Sequence, residues 1–142
     1  MVARARWAVV VLIVATAAGC APRSARPPST PAPAARALEV REGLASYYAD
    51  QFDGQTTASG TVFDNEALVA AHPSYPFGSV VRVTNLRNRR SVDVRVVDRG
   101  PAPAVRARGV IIDLSRAAAR QLGFIADGRT RVRVEVLRRG GS

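Results

Sequence analysis

Two stretches of the chain alternate apolar and polar residues with a period of two. Residues 79–85 (SVVRVTN) place Val81 and Val83 on one face and Arg82 and Thr84 on the other. Residues 91–98 (SVDVRVVD) set Val92, Val94 and Val96 against Asp93, Arg95 and Val97. β-branched residues at this period predict two strands of a hairpin. Its turn, 86–90, contains Asn88, which tolerates the left-handed backbone that turns require. Residues 131–137 (RVRVEVL) alternate strictly and predict a closing strand, and the apolar run 109–113 (GVIID) predicts a buried one. Shorter extended pieces are predicted at 40–48, 61–62 and 67–71. One helix is predicted, over 115–122. Its alanines favour helix, Asp113 or Ser115 can accept from its first free amides, and Gly123 can stop it. Six or so short strands with one short helix and many Gly and Pro turns define a small barrel or sandwich. Closure is favoured because it leaves no free edge.

Ahead of these elements the pattern changes twice. Arg4 and Arg6 precede an apolar run over 7–18, shorter than the roughly 20 residues of a membrane span. Ala17, Ala18 and Gly19 then lead into Cys20. Residues 1–19 resemble a bacterial lipoprotein signal peptide, with Cys20 as the acylated residue. The alternative is an ordinary secretory leader cleaved near Ala18 or Gly19, leaving Cys20 a free thiol. Several acyl chains on one Cys anchor a protein stably to a membrane. Ala21, rather than Asp, follows Cys20, and in lipoprotein sorting this resembles export to the outer membrane. Five prolines among residues 21–37 cannot bury a core. Residues 20–37 are therefore expected to form a tether, reaching roughly 50 Å at about 3.1 Å per residue. Residues 38–142 are left as the folded domain.

Composition narrows the chemistry. At 142 residues the chain holds one small domain beyond its leader, not a multi-domain enzyme. It contains one Cys, one His and no Lys, so a lysine Schiff base, a P-loop lysine, an intrachain disulfide and a Cys₂His₂ zinc site are all excluded. No metal and no other cofactor is expected, since the acids show no ligand spacing. Carboxylates, hydroxyls, backbone groups, Arg and His72 must carry any reaction. The formal charge of +10 would by itself suggest nucleic acid. An export signal removes the chain from nucleic acid. The arginine clusters at 87–90, 106–108 and 129–133 then face carboxylate- or phosphate-bearing envelope polymers, which Arg grips bidentately, or simply solvent.

Six blocks follow one another in order: GLASYY (43–48), TASGTVFD (57–64), AAHPSYPFG (70–78), VRVTNL (81–86), VDVRVVDRGP (92–101) and GVIIDLSRAAARQLG (109–123). Together they resemble the rare lipoprotein A (RlpA) family over about residues 42–137. The resemblance implies a mainly β fold, a six-stranded double-psi β-barrel with one short helix. It implies an envelope protein acting on the glycan strands of peptidoglycan. Active members are endolytic lytic transglycosylases, which cleave the MurNAc–GlcNAc bond and leave 1,6-anhydro ends. Many members add a C-terminal SPOR domain; with the barrel running to the last residues given, none is expected here.

In that reaction the C6 hydroxyl of the muramyl sugar is the nucleophile, so a second glycosidase carboxylate is not obligatory. One carboxyl protonates the leaving oxygen and then accepts the hydroxyl proton, which favours a partly desolvated acid. Asp98, ending a strand before a Gly–Pro turn, matches the Asp of the family's D-R-G-P block and is the expected acid/base. Accepting backbone amides in that turn is the alternative role. The neighbouring Arg99 is expected to contact substrate, or to face Asp98. His72 matches the family's A-A-H block and is the expected catalytic partner, hydrogen-bonding sugar or Asp98. Thr61 stands where active relatives commonly carry Glu. A hydroxyl binds sugar but exchanges no proton at neutral pH, which motivates a second reading: a non-catalytic, expansin-like glycan-binding module. Glu66 replaces that Glu only if its loop bends back. Asp113 resembles the groove Asp of expansin-type barrels and competes with a capping role. Tyr48, Ser59 and Asn85 complete the expected sugar contacts, with Thr57 beside them.

Overall fold

The computed structural model describes residues 36–141; the expected leader, Cys20 and nearly all of the tether lie outside the described residues. Six strands form a closed barrel: β1 (Glu39–Tyr47), β2 (Val69–Ala71), β3 (Val80–Asn85), β4 (Ser91–Asp98), β5 (Val110–Leu114) and β6 (Thr130–Arg138), in the order β1-β5-β2-β4-β3-β6. Two helices accompany them, α1 (Pro103–Arg106) and α2 (Arg116–Leu122), with a 3₁₀ turn at Asp50–Phe52. β1 pairs with β5 and β2 with β4 in parallel; the remaining pairs are antiparallel.

The period-two pattern explains the barrel. Val81, Val83, Val92, Val94, Val96, Val132, Val134 and Val136 point inward and are buried, around Ile112, Leu114 and Phe124. The outward residues of the same strands pair across them: Arg82 with Asp93 at 2.8 Å, and Arg133 with Glu42 at 3.0 Å. A one-residue slip would exchange these two sets, so the register is strongly specified.

α2 begins at Arg116, and of the two caps the sequence offered Ser115 is the one used, its Oγ accepting from the Ala118 amide. Two features of the fold differ from expectation. The left-handed residue of the β3–β4 turn is Arg89 (φ 64), not Asn88. Asn88 instead accepts from the Arg90 amide and donates to the Leu122 carbonyl, tying the turn to the end of α2. α1 was hidden in a Pro-rich stretch that reads as a turn, yet a Pro in the first helical position suits a helix start. No helix among the described residues is long and apolar enough to cross a membrane.

Candidate active site

Register places the two expected carboxylates side by side. Ala71 of β2 pairs with Asp98 of β4 on one side and with Asp113 of β5 on the other; Asp113 in turn pairs with Ser46 of β1. Asp98, Ala71, Asp113 and Ser46 thus form one row across four adjacent strands. Ala71 supplies only a methyl between the acids. A Cβ on Gly100 would stand 3.4 Å from both Ala71 Cβ and Asp113 Oδ2, so glycine keeps that space open. The row opens into a groove of about 530 Å³ walled by Tyr48, Phe52, Gln55, Arg99 and Val105.

Asp98 is held by three donors. The Ala58 amide (2.9 Å) and the Arg99 amide (2.8 Å) donate to Oδ1, and the Tyr48 hydroxyl (2.7 Å) donates to Oδ2. Asp98 thus accepts turn amides, the alternative role, while also lining the groove. The Arg99 guanidinium turns away from it. It donates to the carbonyls of His72 (3.3 Å) and Tyr75 (2.9 Å) and lies 3.7 Å over the Phe77 ring. Tyr48 is a brace more than a free sugar platform. Its ring packs at 4.3 Å on Phe63, and burial, then the hydrogen bond to Asp98, push its phenol well above the usual tyrosine range.

Asp113 is half-buried and accepts from the Ser46 hydroxyl. Burial holds its carboxyl above the usual carboxylate range. The Ser46 bond opposes this shift and the Asp98 charge adds to it. A carboxyl raised in the folded state contributes stability that is present below its unfolded value of 3.8 and lost as pH rises through its folded value. Asp113→Asn, which keeps an acceptor for Ser46, is therefore expected to be more stable than wild type at pH 7, with the gain vanishing below pH 3.8. Urea melts at the two pH values test this; an equal midpoint shift at both would refute it.

The residues of the 57–61 turn join the site from one side. The hydroxyls of Thr57, Ser59 and Thr61 lie within 2.9–3.1 Å of one another. The Ser59 amide bonds the Val97 carbonyl at 3.2 Å, beside the Ala58–Asp98 bond, so this turn is pinned to the end of β4. Of this turn, the Ala58 amide is what reaches Asp98. Glu66 is not brought in; it pairs with Arg120 on α2.

Two expectations about the site are corrected. The His72 ring does not hydrogen-bond Asp98; the two residues meet through their backbones, His72 N–H donating to the Asp98 carbonyl at 3.2 Å. The ring is 3% exposed and stacks at 3.5 Å on Tyr75. Its Nδ1 accepts from the amides of Ser74 (3.2 Å) and Tyr75 (3.1 Å), which places the proton of the neutral ring on Nε2. Burial, with the Arg41 charge behind it, lowers its pKa to about 4. Asn85 is not a sugar contact. It is 2% exposed, donates to the Leu122 carbonyl, accepts from Thr130 Oγ1, and sits at the opposite end of the β3–β4 hairpin from Asp98.

Sequence reading missed Ser46 and Phe52. Ser46 lies two positions before Tyr48 on the same outward alternation, a signal that was present. Phe52 sits on a single 3₁₀ turn, where no periodicity exists to reveal it. Among the described residues no three His, Cys, Asp or Glu side chains are grouped to hold a metal ion.

Fold neighbours define the class. The structure of Streptomyces papain inhibitor aligns with a TM-score of 0.57 at 25% identity, covering 72% of this chain and 97% of its own. The apo expansin of Clavibacter michiganensis aligns with a TM-score of 0.55 at 22% identity, covering 73% and 53%. The closed six-stranded barrel is a double-psi β-barrel, as the sequence resemblance implied.

A family model described as lytic transglycolase matches residues 40–134. The endolytic peptidoglycan transglycosylase RlpA of Pasteurella multocida is 50% identical over 98 residues, 69% of this chain and 32% of that protein. The probable endolytic peptidoglycan transglycosylase RlpA of Nostoc sp. is 55% identical over 100 residues, 69% of this chain and 26% of its own length. The chain belongs to the RlpA family of lytic transglycolase domains. It spans a quarter to a third of the length of the curated relatives it matches.

Proposed function

We propose that this domain is an endolytic lytic transglycosylase of the cell envelope, cleaving MurNAc–GlcNAc bonds in peptidoglycan glycan to 1,6-anhydro ends. The observation that carries the reading is the pair Asp98 and Asp113, set on either side of buried Ala71 by strand register and lining one groove. The leaving oxygen needs a proton, and the C6 hydroxyl must then lose one. Asp98 is the acid/base. Its oxygens are fixed by two backbone amides and Tyr48, so its direction is set before substrate arrives. Asp113, raised by burial, holds a proton to higher pH and limits the build-up of like charge beside Asp98. The hydroxyls of Thr57, Ser59 and Thr61 are sugar contacts at the groove's edge. His72 is a positioning residue. It shapes the 72–75 turn and supports Asp98 through the backbone, leaving Nε2–H as a donor. Cys20 is the lipid attachment point, most simply to the outer membrane, with 20–37 as the tether.

The ring of three hydroxyls at the position expected for Glu favours one second reading, a glycan-binding module without catalysis. Digestion of purified sacculi separates the two. Mass spectrometry of the soluble products is expected to show 1,6-anhydromuramyl ends. Sacculus binding with no such products would replace the enzyme reading with the binding one.

A further inference from the structure

The groove does not end at the acids. A second depression of about 360 Å³ continues it past Arg99, Gly100 and Ala102, which line both. Its other walls are Pro73, Pro101, Pro103 and Arg106. The two halves differ in charge. The first is lined by Asp98 and Asp113, with Arg99 at its junction with the second; the second is lined by Arg99 and Arg106 and by no carboxylate. Seven arginines of the barrel pair with an acid, among them Arg82, Arg87, Arg116, Arg120 and Arg133. Among the described residues neither Arg99 nor Arg106 pairs with a carboxylate. Arg99 is held by two carbonyls and the Phe77 ring, so one guanidinium is fixed in place before any ligand binds. Arg106, at the end of α1, is exposed and lines the same depression. Three prolines stiffen the walls, since each fixes its own φ.

Resting on the glycan reading of the adjoining groove, we infer that this depression is an anion subsite for a carboxylate carried by the muramyl sugar, gripped by Arg99 and Arg106. The glycan alternates a neutral sugar with one bearing a 3-O-lactyl arm. That arm ends in a free carboxylate when no peptide is attached. When a stem peptide is attached the arm is an amide, and the peptide brings its own carboxylates. Both sources offer the same chemistry to a guanidinium pair, a bidentate, charge-assisted hydrogen bond. Placed next to the acids, the subsite sets which sugar lies over Asp98. The muramyl unit, which alone supplies the attacking C6 hydroxyl, is drawn to the correct side of the cut.

The test measures binding of labelled peptide-free glycan strands to the full chain in the cold, against the same strands with their carboxylates amidated. Wild type is expected to bind the native strands about five- to tenfold more tightly than the amidated ones. Arg106→Gln is expected to bind both equally, at the weaker level. Arg108→Gln, an equal loss of charge outside the depression, is expected to keep the difference. Peptide-bearing strands distinguish the sources: tight binding points to stem-peptide carboxylates, and binding as weak as that of amidated strands points to the lactyl arm. Equal binding of native, amidated and peptide-bearing strands by wild type overturns the subsite and leaves the glycan reading standing. So does an Arg108→Gln effect as large as that of Arg106→Gln. Failure to bind any strand overturns both.

Discussion

Asp98→Asn is expected to lower the yield of 1,6-anhydro ends from sacculi about a thousandfold while leaving the fold and glycan binding in place. Asn is isosteric with Asp, and its Oδ1 can still accept from the Ala58 and Arg99 amides. Only the Tyr48 contact must reverse, with the amide donating to the phenol. What disappears is a group able to give and take a proton, and positioned acid–base catalysis contributes about 10²–10⁴ in rate. Product yield by mass spectrometry, read alongside a thermal melt, isolates chemistry from folding. A variant with wild-type yield would remove Asp98 from the mechanism.

The second large effect is on stability and follows from His72. Its pKa falls from 6.5 to about 4 in the fold, because the ring is enclosed and the Arg41 charge opposes protonation. The unfolded chain takes up a proton below pH 6.5 and the folded chain does not. The neutral ring therefore contributes stability that is present above pH 6.5 and lost as pH falls through about 4. One proton corresponds to a slope of about 1.4 kcal/mol per pH unit, and about 3 kcal/mol in total. His72 is the only histidine of the chain, so no other histidine contributes between pH 6.5 and 5. His72→Asn keeps an acceptor for Ser74 and Tyr75 and removes the titration. Its urea midpoint is expected to be nearly flat from pH 6.5 to 5, where wild type declines. Parallel slopes for the two proteins would show that His72 titrates normally.

The strands were legible because they are amphipathic. Val81 to Val136 alternate with charged residues, and every predicted inward valine is inside. Closure was favoured by an argument about edges, and the double-psi topology was implied by the block order and not by any spacing. Asp98 and Asp113 were both legible as candidates. Their relation through Ala71 was not, since they are fifteen positions apart and meet only through the register of β2. His72 was legible by residue type, but its contacts were not: the sequence shows a histidine beside Pro73, not the two amides that occupy Nδ1 in place of a bond to Asp98. Asn85 failed for the same reason. A polar residue at a strand end reads as exposed unless one knows that α2 comes back to cover it.

β2 is three residues long, yet it is the sole strand between β4 and β5. Ala70 and Ala71 are completely enclosed, and their pairings close the barrel and set the spacing of the two acids. The staple that completes the fold is thus also the ruler that measures the site. Local opening at β2 would separate Asp98 from Asp113 at the moment it unzips the cylinder. Under the proposed mechanism, loss of the β2 pairings would remove the geometry of the two acids together with the closure of the barrel.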